Sequence, residues 1–552
     1  MTTLKKTIQE ITTSLKGLVE DPQVIINKDY ALGLFAVPVF QQAKNSKTNP
    51  MELAKKVSEA LNKKKHVFFE KTTPLSGYIN FHVSQHYYQE AVTELFEEKK
   101  HKKNNKTAVI EFSQPNVGKP FHVGHIRSTI LGDVVSNLLE EIGWKVVRMN
   151  YYGDSGSQVA KLILAMQELK DLPKIKNEKD LLAYYIEIHK KIEEDPSLAE
   201  KSRSILEKIE SGDSKVLKEL KLVREKSYEA FNRNYALLGI KFDEELGESD
   251  FIEKSKTIVK ECLDKKIAKI EPGGETLAVL EPELPNLVIL RSNGTTLYST
   301  RDLALAEYKY KKYAFDYSLI LTSSEQNLYF KQVILLLNKL KKPFAEKYNH
   351  SGFGLITLEE GKMSSREGRV VFLEDVLNQA VDLARQQIKE AYTEKELMKI
   401  SHHVGIGSVK FAILRINAEK NIAFSLKKIV SFEGDTGAYI QYTCVRAKNI
   451  LRKTKEEAVI HELNNSESIK LACTLSQFHS IIEQCAENKQ TQPLCDYLLK
   501  LSADYSEFYS KQPVLKAESK QLMQTNLALT KATIQVIEKG LKLLGINIPE
   551  RM

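Results

Sequence analysis

The stretch from Thr107 to Asn150 narrows the fold more than any other part of the chain. Thr107 to Phe112 is a short β-branched, apolar run of the kind that packs into a sheet. Turn-forming residues follow, and then apolar positions at four-residue spacings or multiples of them (Ile130, Val134, Ile142 and Leu131, Val135, Leu139) predict a helix. Gly143 stops that helix, and Trp144 to Asn150 reads as a second strand. Strand, loop, helix, strand is one unit of a parallel sheet, because parallel neighbours need a crossover and a helix supplies it. Ligands of such sheets sit at the carboxyl ends of the strands, which directs attention to the loop after Glu111.

That loop and the helix start read Glu111-Phe112-Ser113-Gln114-Pro115-Asn116-Val117-Gly118-Lys119-Pro120-Phe121-His122-Val123-Gly124-His125-Ile126-Arg127-Ser128-Thr129. Free backbone N–H groups and the positive end of the helix dipole make this an anion site, and Gly124 lets a flat or phosphate-bearing ligand approach the backbone. His122 and His125 can donate to phosphate oxygens. Taken alone, two histidines three apart can equally well pack on one helical face. Their spacing lacks the four-residue step and glutamate of a zinc-protease helix. A second stretch, Glu359-Glu360-Gly361-Lys362-Met363-Ser364-Ser365-Arg366-Glu367-Gly368, is bracketed by glycines and offers cations for a pyrophosphate group. Alone it reads as a solvated turn. Together the two stretches would lie at the two halves of a doubly wound sheet, where a nucleotide crevice is expected.

At 552 residues and 42% hydrophobic composition the chain has room for three or four packed units. Residues 1–100 read as a small α+β domain, with a helix over Met51 to Leu61 and strand-like alternation over Gly77 to Val83. A basic run from Lys99 to Lys106 reads as a linker. Residues 106–372 form the sheet domain. Its charged, helix-like stretch at about 160–280 is expected to be an insertion between two halves, with no site-like cluster in it. Leu287 to Leu290 and Thr295 to Tyr298 flank Ser292-Asn293-Gly294 as a hairpin signal, before a helix from Arg301 and a strand over Tyr317 to Leu321. Residues 373–552 are helical, with Leu498, Leu501, Tyr505, Phe508 and Ile534, Ile537, Leu541, Leu544 marking two helices of a bundle.

The five cysteines form no Cys-x-x-Cys pair, so neither a disulfide framework nor a zinc site is expected, and no metal ligands are assigned. No apolar run approaches the roughly 20 residues of a membrane span, and the N-terminus lacks a signal-peptide core, so a cytoplasmic protein is expected. The net charge of +9 is compatible with a polyanionic partner but decides little by itself.

The two stretches resemble the two signatures of class I aminoacyl-tRNA synthetases, and their wording resembles the arginyl-tRNA synthetase family. Gly153-Asp154-Ser155-Gly156-Ser157-Gln158, Tyr298-Ser299-Thr300-Arg301-Asp302, Tyr439-Ile440-Gln441-Tyr442 and the ending from Gly540 to Met552 resemble that family too, in its order, so the likeness runs essentially end to end. It implies ATP-dependent attachment of L-arginine to tRNA(Arg) through arginyl-adenylate, with release of AMP and pyrophosphate. The fold it implies is multidomain α/β plus all-α: a Rossmann-type catalytic domain with a helical insertion, a small α+β domain on the tRNA elbow and a helical anticodon-binding bundle.

By the same resemblance His122 and His125 stabilise the α-phosphate, Lys362 holds the leaving group, and Gly124, Met363 and Ser364 complete the ATP site. Glu111, Asn116, Tyr298, Asp302 and Gln326 hold arginine. Tyr439, Tyr442, Tyr505, Tyr509 and Met552 contact the anticodon, and Tyr78 and Asn80 the elbow. ATP is expected with Mg²⁺, without a dedicated protein cage for the ion, and the protein as a monomer. A pocket that satisfies several guanidinium hydrogen bonds rejects lysine by roughly 10⁴-fold or more, so no editing domain is needed.

Two departures stand out. Ser365 replaces a second loop lysine, for which Lys119 is expected to compensate, with Arg366 as the alternative cation. Asn526 stands where an arginine is expected. Two other readings use the same motifs: an adenylyltransferase that binds no tRNA, against which the helical third of the chain speaks, and an inactive RNA-binding paralogue, against which the retained His122, His125 and Lys362 speak.

Overall fold

The computed structural model describes the chain apart from residues 98–102, 170–171, 173 and 359–371. Its centre is a sheet of five parallel strands in the order Tyr348–Phe353, Tyr317–Ser323, Thr107–Glu111, Lys145–Tyr152, Glu244–Gly247. The strand predicted at Thr107 lies in the middle. Its alternate residues serve two cores: Ala108 and Ile110 pack with the helix Val123–Glu141, while Val109 joins a second cluster with Leu303, Val333 and Leu336 on the opposite face. A strand buried on both faces must be apolar along its interior, and this one is from Ala108 to Ile110. From the central strand the chain first builds outward on one side and later returns to build on the other. The switch point therefore lies between Thr107–Glu111 and Tyr317–Ser323, and opens at Glu111 and Ser323.

The predicted helix ends at Glu141, with Gly143 beyond it at φ +94°, and the second strand extends to Tyr152. The stretch after residue 157 is helical as expected, with Ser157–Glu168, Glu178–Glu194, Ser197–Ser211 and Ser214–Leu238. Two strands of the main sheet escaped the reading: Tyr348–Phe353, which pairs with Tyr317–Ser323, and Glu244–Gly247, which pairs with Lys145–Tyr152 at the opposite edge. Two adjacent glutamates hide the pattern of the latter, since an edge strand needs little apolar burial. The hairpin reading is corrected as well. Gly294 makes a tight turn at φ +77°, but the return is only a bridge from Leu290 to Thr296, and the helix already begins at Tyr298. Leu287–Leu290 pairs instead with Thr276–Ala278.

The N-terminal region is a four-stranded antiparallel sheet with helices that include Pro50–Leu61. From Leu373 onward the described chain is mainly helical, apart from Ile422–Phe424, which pairs in parallel with Ile356–Leu358. Among the described residues no helix is long and apolar enough to cross a membrane.

Candidate active site

The central strand ends in a strained turn. Ser113 and Gln114 both sit at positive φ, +78° and +50°, a conformation that costs non-glycine residues of order 1–3 kcal/mol each. Side chains from three elements hold it. Ser113 N donates to Ser128 Oγ (3.0 Å), Gln114 N donates to Asn150 Oδ1 (3.1 Å), and Ser113 Oγ shares a hydrogen bond with Tyr235 OH (2.8 Å). The turn throws the chain outward to Asn116, which bridges to Gly153. A Cβ on Gly153 would lie 2.3 Å from Asn116 Oδ1, so a larger residue there would push the Asn116 amide from its place.

The histidines open the next helix in an unusual cap. Gly124 N–H donates to His122 Nδ1 at 3.0 Å, and His122 N–H donates to His125 Nδ1 at 3.3 Å. An Nδ1 that accepts from a backbone N–H carries no proton, so each ring is neutral with its proton on Nε2. Burial and the nearby Lys119 ammonium hold His122 down at about 4, and burial, His122 and Lys119 hold His125 well below its ordinary value. Gly124 serves the imidazole rather than only a ligand, because a Cβ there would meet the His122 ring at 2.7 Å.

The opposite wall is acidic. Burial pushes the Asp302 carboxyl up to about 8, against the pull of a hydrogen bond from Tyr329 OH and with an added push from Glu111 and Glu248. Glu248 is pushed up to about 7 by burial, although Arg301 NH2 lies 2.8 Å from its Oε2. Glu111 forms a buried ion pair with Lys309 and accepts from Gln114. It therefore meets any ligand as a partly neutralised group. Tyr298 stands over this wall, 51% exposed and edge-on to Tyr329. Both walls line one cleft of about 790 Å³, which also takes in Asn116, Gly124, Thr322 and Gln326. Lys362, Met363, Ser364, Ser365 and Arg366 lie outside the described residues. Phe372, the next described residue, pairs with His122.

A description of the class I (R) tRNA synthetase catalytic domain matches residues 89–426, the arginyl-tRNA synthetase N-terminal domain matches 2–83, and the DALR anticodon-binding domain matches 440–552. An arginine–tRNA ligase of Clostridioides difficile is 33% identical, with 100% of this chain and 98% of the relative covered. The chain belongs to the arginyl-tRNA synthetase family. It is thus an arginine–tRNA ligase of class I, a class that uses ATP. The Lactobacillus johnsonii arginine–tRNA ligase is 36% identical, with 95% of each chain covered. The solved Thermus thermophilus arginyl-tRNA synthetase shares the fold at a TM-score of 0.82 and 24% identity, covering 99% of this chain and 100% of that one.

The site residues expected from the resemblance are only partly together here. His122, Gly124, His125, Glu111, Asn116, Tyr298, Asp302 and Gln326 share the cleft, while Lys119 reaches the histidines electrostatically. Glu248, Tyr329 and Lys309 were missed, since nothing local in the sequence distinguishes them from ordinary surface or helix residues, and Arg301 stood in the segment from Tyr298 to Asp302 without being given a role.

Toward the RNA side, two assignments are corrected. Asn80 is 3% exposed, accepts from Asn27 (3.1 Å) and donates to Thr73 O (3.3 Å), so its amide is spent inside the sheet. Tyr505 is 1% exposed and belongs to the bundle core, where no base can stack on it. Asn526 is also buried and offers no surface to RNA. Tyr442 is 42% exposed, and Tyr509 is half-buried beneath the Arg446 guanidinium, 4.1 Å from the ring centroid. Tyr439 is half-buried, sharing a hydrogen bond with Ser506 Oγ (3.1 Å). Tyr78 and Met552 are also half-buried, Tyr78 edge-on to Phe40.

Proposed function

We propose that this cleft binds L-arginine and ATP together, with the histidines on the α-phosphate and the acidic wall on the guanidinium. The reading rests on one observation: two neutral imidazoles with Nε2–H free to donate face carboxyls of raised proton affinity across a single cleft. An arginine guanidinium supplies the positive charge that Asp302 lacks and adds to the one Arg301 already gives Glu248, and so favours the carboxylate form of both. Tyr298, Asn116 and Gln326 then serve the remaining polar groups of the amino acid, with Glu111 set by Lys309.

In the first step an arginine carboxylate oxygen attacks the α-phosphorus and the bond to pyrophosphate breaks. In the second a tRNA ribose hydroxyl attacks the carbonyl and AMP leaves. Negative charge grows on the α-phosphate oxygens, where His122, His125 and the helix start present donors fixed in advance. These donors are uncharged, so the positive charge comes from lysines: Lys362 on the leaving group, and Lys119, whose ammonium already acts on both rings, in place of the lysine missing at Ser365. Met363 and Ser364 complete this ATP-binding set. Mg²⁺ arrives with the nucleotide as part of the substrate, and the protein works as a cytoplasmic monomer, as the family resemblance implies.

On the tRNA side the proposal keeps Tyr439, Tyr442, Tyr509 and Met552 for the anticodon and Tyr78 for the elbow, and leaves out Tyr505 and Asn80. It divides the chain at 1–100, 106–372 and 373–552. The catalytic match running on to residue 426, and the pairing of Ile422–Phe424 with Ile356–Leu358, favour carrying the catalytic unit past the second boundary.

The test is a charging assay with ATP, labelled arginine and tRNA. His125→Ala is expected to slow charging by roughly 10²–10³-fold, the worth of one preorganised donor, with circular dichroism unchanged. Lys119→Ala is expected to lose more activity than Arg366→Ala. An unchanged His125→Ala rate rules out the phosphate role, and the reverse order of the cation variants transfers the compensating role to Arg366.

A further inference from the structure

The helix Ser197–Ser211 lies in the stretch that sequence reading left without a function, yet it reaches the acidic wall. Glu210, near its C-terminus, is buried, and both of its carboxylate oxygens accept from Thr296 N–H at 3.2 Å. Thr296 Oγ1 donates to Glu210 Oε1 (3.3 Å) and accepts from Arg301 NH1 (3.1 Å), which also donates to Thr296 O (3.3 Å). Arg301 therefore lies between two carboxylates, with Glu210 4.0 Å from NH1 and Glu248 2.8 Å from NH2. An arginine flanked this way has a choice. Drawn toward Glu210 it offers Glu248 a single nitrogen. Released, its planar fork can take both oxygens of Glu248, which is the preferred geometry of a guanidinium with a carboxylate.

We propose that Glu210 is a positioning residue for arginine recognition: by holding Arg301 back on Thr296, it leaves part of the Glu248 carboxylate for the substrate guanidinium. The inference rests on the arginine pocket proposed above and extends it to the insertion. The helix thereby sets substrate affinity without touching substrate. Because the contact acts on the amino-acid side of the cleft, its loss falls on arginine binding and spares ATP.

Glu210→Gln keeps the shape and one acceptor for Thr296 but removes the charge that holds Arg301. In the charging assay its KM for arginine is expected to rise roughly tenfold, about the worth of one charge-assisted hydrogen bond, with kcat and KM for ATP changed by less than about twofold. Glu207→Gln is the control. Glu207 lies one turn earlier on the same helix and accepts from Asn293 at 2.9 Å in the same turn, so it reports docking of the insertion alone. An unchanged KM for arginine in Glu210→Gln, or an equal rise in Glu207→Gln, overturns the proposal. Should Glu210→Gln not fold, Glu210→Asp keeps the charge at shorter reach. A smaller rise in arginine KM then supports the proposal, and no rise overturns it. Failure of the unmodified protein to charge tRNA with arginine would instead defeat the pocket assignment.

Discussion

The donor role proposed for His122 and His125 requires neutral rings, and burial with Lys119 nearby disfavours the cation of each. Protonating either ring removes the Nδ1 acceptor that closes the cap and brings a second positive charge toward Lys119. The folded-state values lie below 6.5, that of His122 at about 4, so the unfolded chain binds protons that the folded chain refuses in that window. Stability is therefore constant with respect to these groups above about pH 7 and falls as pH drops from 6.5 toward 4. Urea unfolding at pH 7 and pH 5 is expected to show this loss. His122→Asn, which keeps a side-chain acceptor for Gly124 N–H, is expected to lessen it only in part, because half-buried His350 is held at about 4 as well. Identical pH dependence in the variant and the parent chain would remove His122 from the account. The histidine pair was legible because its chemistry is local, a cap within one helical turn. The acidic wall was legible only in part: Glu111 and Asp302 came with the family resemblance, while their partners did not. Glu111 meets Lys309 from 198 residues away, and Glu248 and Arg301 acquire meaning only when the sheet brings them together. Asn80 and Tyr505 mislead for the converse reason, since residue type does not tell whether a polar or aromatic side chain faces RNA or the core.

The long helix Ser214–Leu238 shows how an insertion supports a site it does not line. Tyr235 OH bonds Ser113 Oγ at 2.8 Å and accepts from Asn150 Nδ2 at 2.9 Å, while its ring packs edge-on against Phe121 and Phe242. It thus braces the positive-φ turn from outside the sheet. Tyr235→Phe keeps the ring and deletes only the hydroxyl, leaving buried polar partners short of a bond. The expected cost is about 1–3 kcal/mol of stability. The kcat for charging should fall with it, because Glu111 and Asn116 flank the turn that relaxes. Thermal unfolding and charging kinetics of the one variant check both, and a lower midpoint with unchanged kcat would make the brace purely structural. At this level the strand, helix and second strand of residues 107–150 were readable because the change of apolar period from strand to helix is written locally. Glu244–Gly247 carries no such period. Its place in the sheet comes from the neighbour that receives it, as does that of the bridge which replaces the expected hairpin strand.

The two ends of the chain meet. The N-terminal sheet domain packs directly on the helical domain as well as preceding the catalytic one in sequence. Gln85 forms a paired contact with the backbone of Leu463, donating to its carbonyl at 3.0 Å and accepting from its N–H at 2.9 Å. Tyr30 OH accepts from Gln477 Nε2 at 2.8 Å, Lys500 lies 4.7 Å from the centroid of the Tyr30 ring, and Lys5 pairs with Glu483 at 2.7 Å. If Tyr78 reads the elbow and Tyr442 and Tyr509 the anticodon, this junction fixes the span between two ends of one RNA. A fixed span matters because each contact raises the effective concentration of the other only when their separation matches the ligand. Gln85→Ala leaves both backbone groups of Leu463 without their partner, at about 1–3 kcal/mol. The damage is far from the cleft. KM for tRNA is therefore expected to rise several-fold while KM for arginine and ATP stay as they were. Steady-state charging with each substrate varied in turn makes the measurement. A rise shared by all three substrates would mean that the junction supports the whole fold, and an unchanged KM for tRNA would mean that the two ends grip the RNA independently.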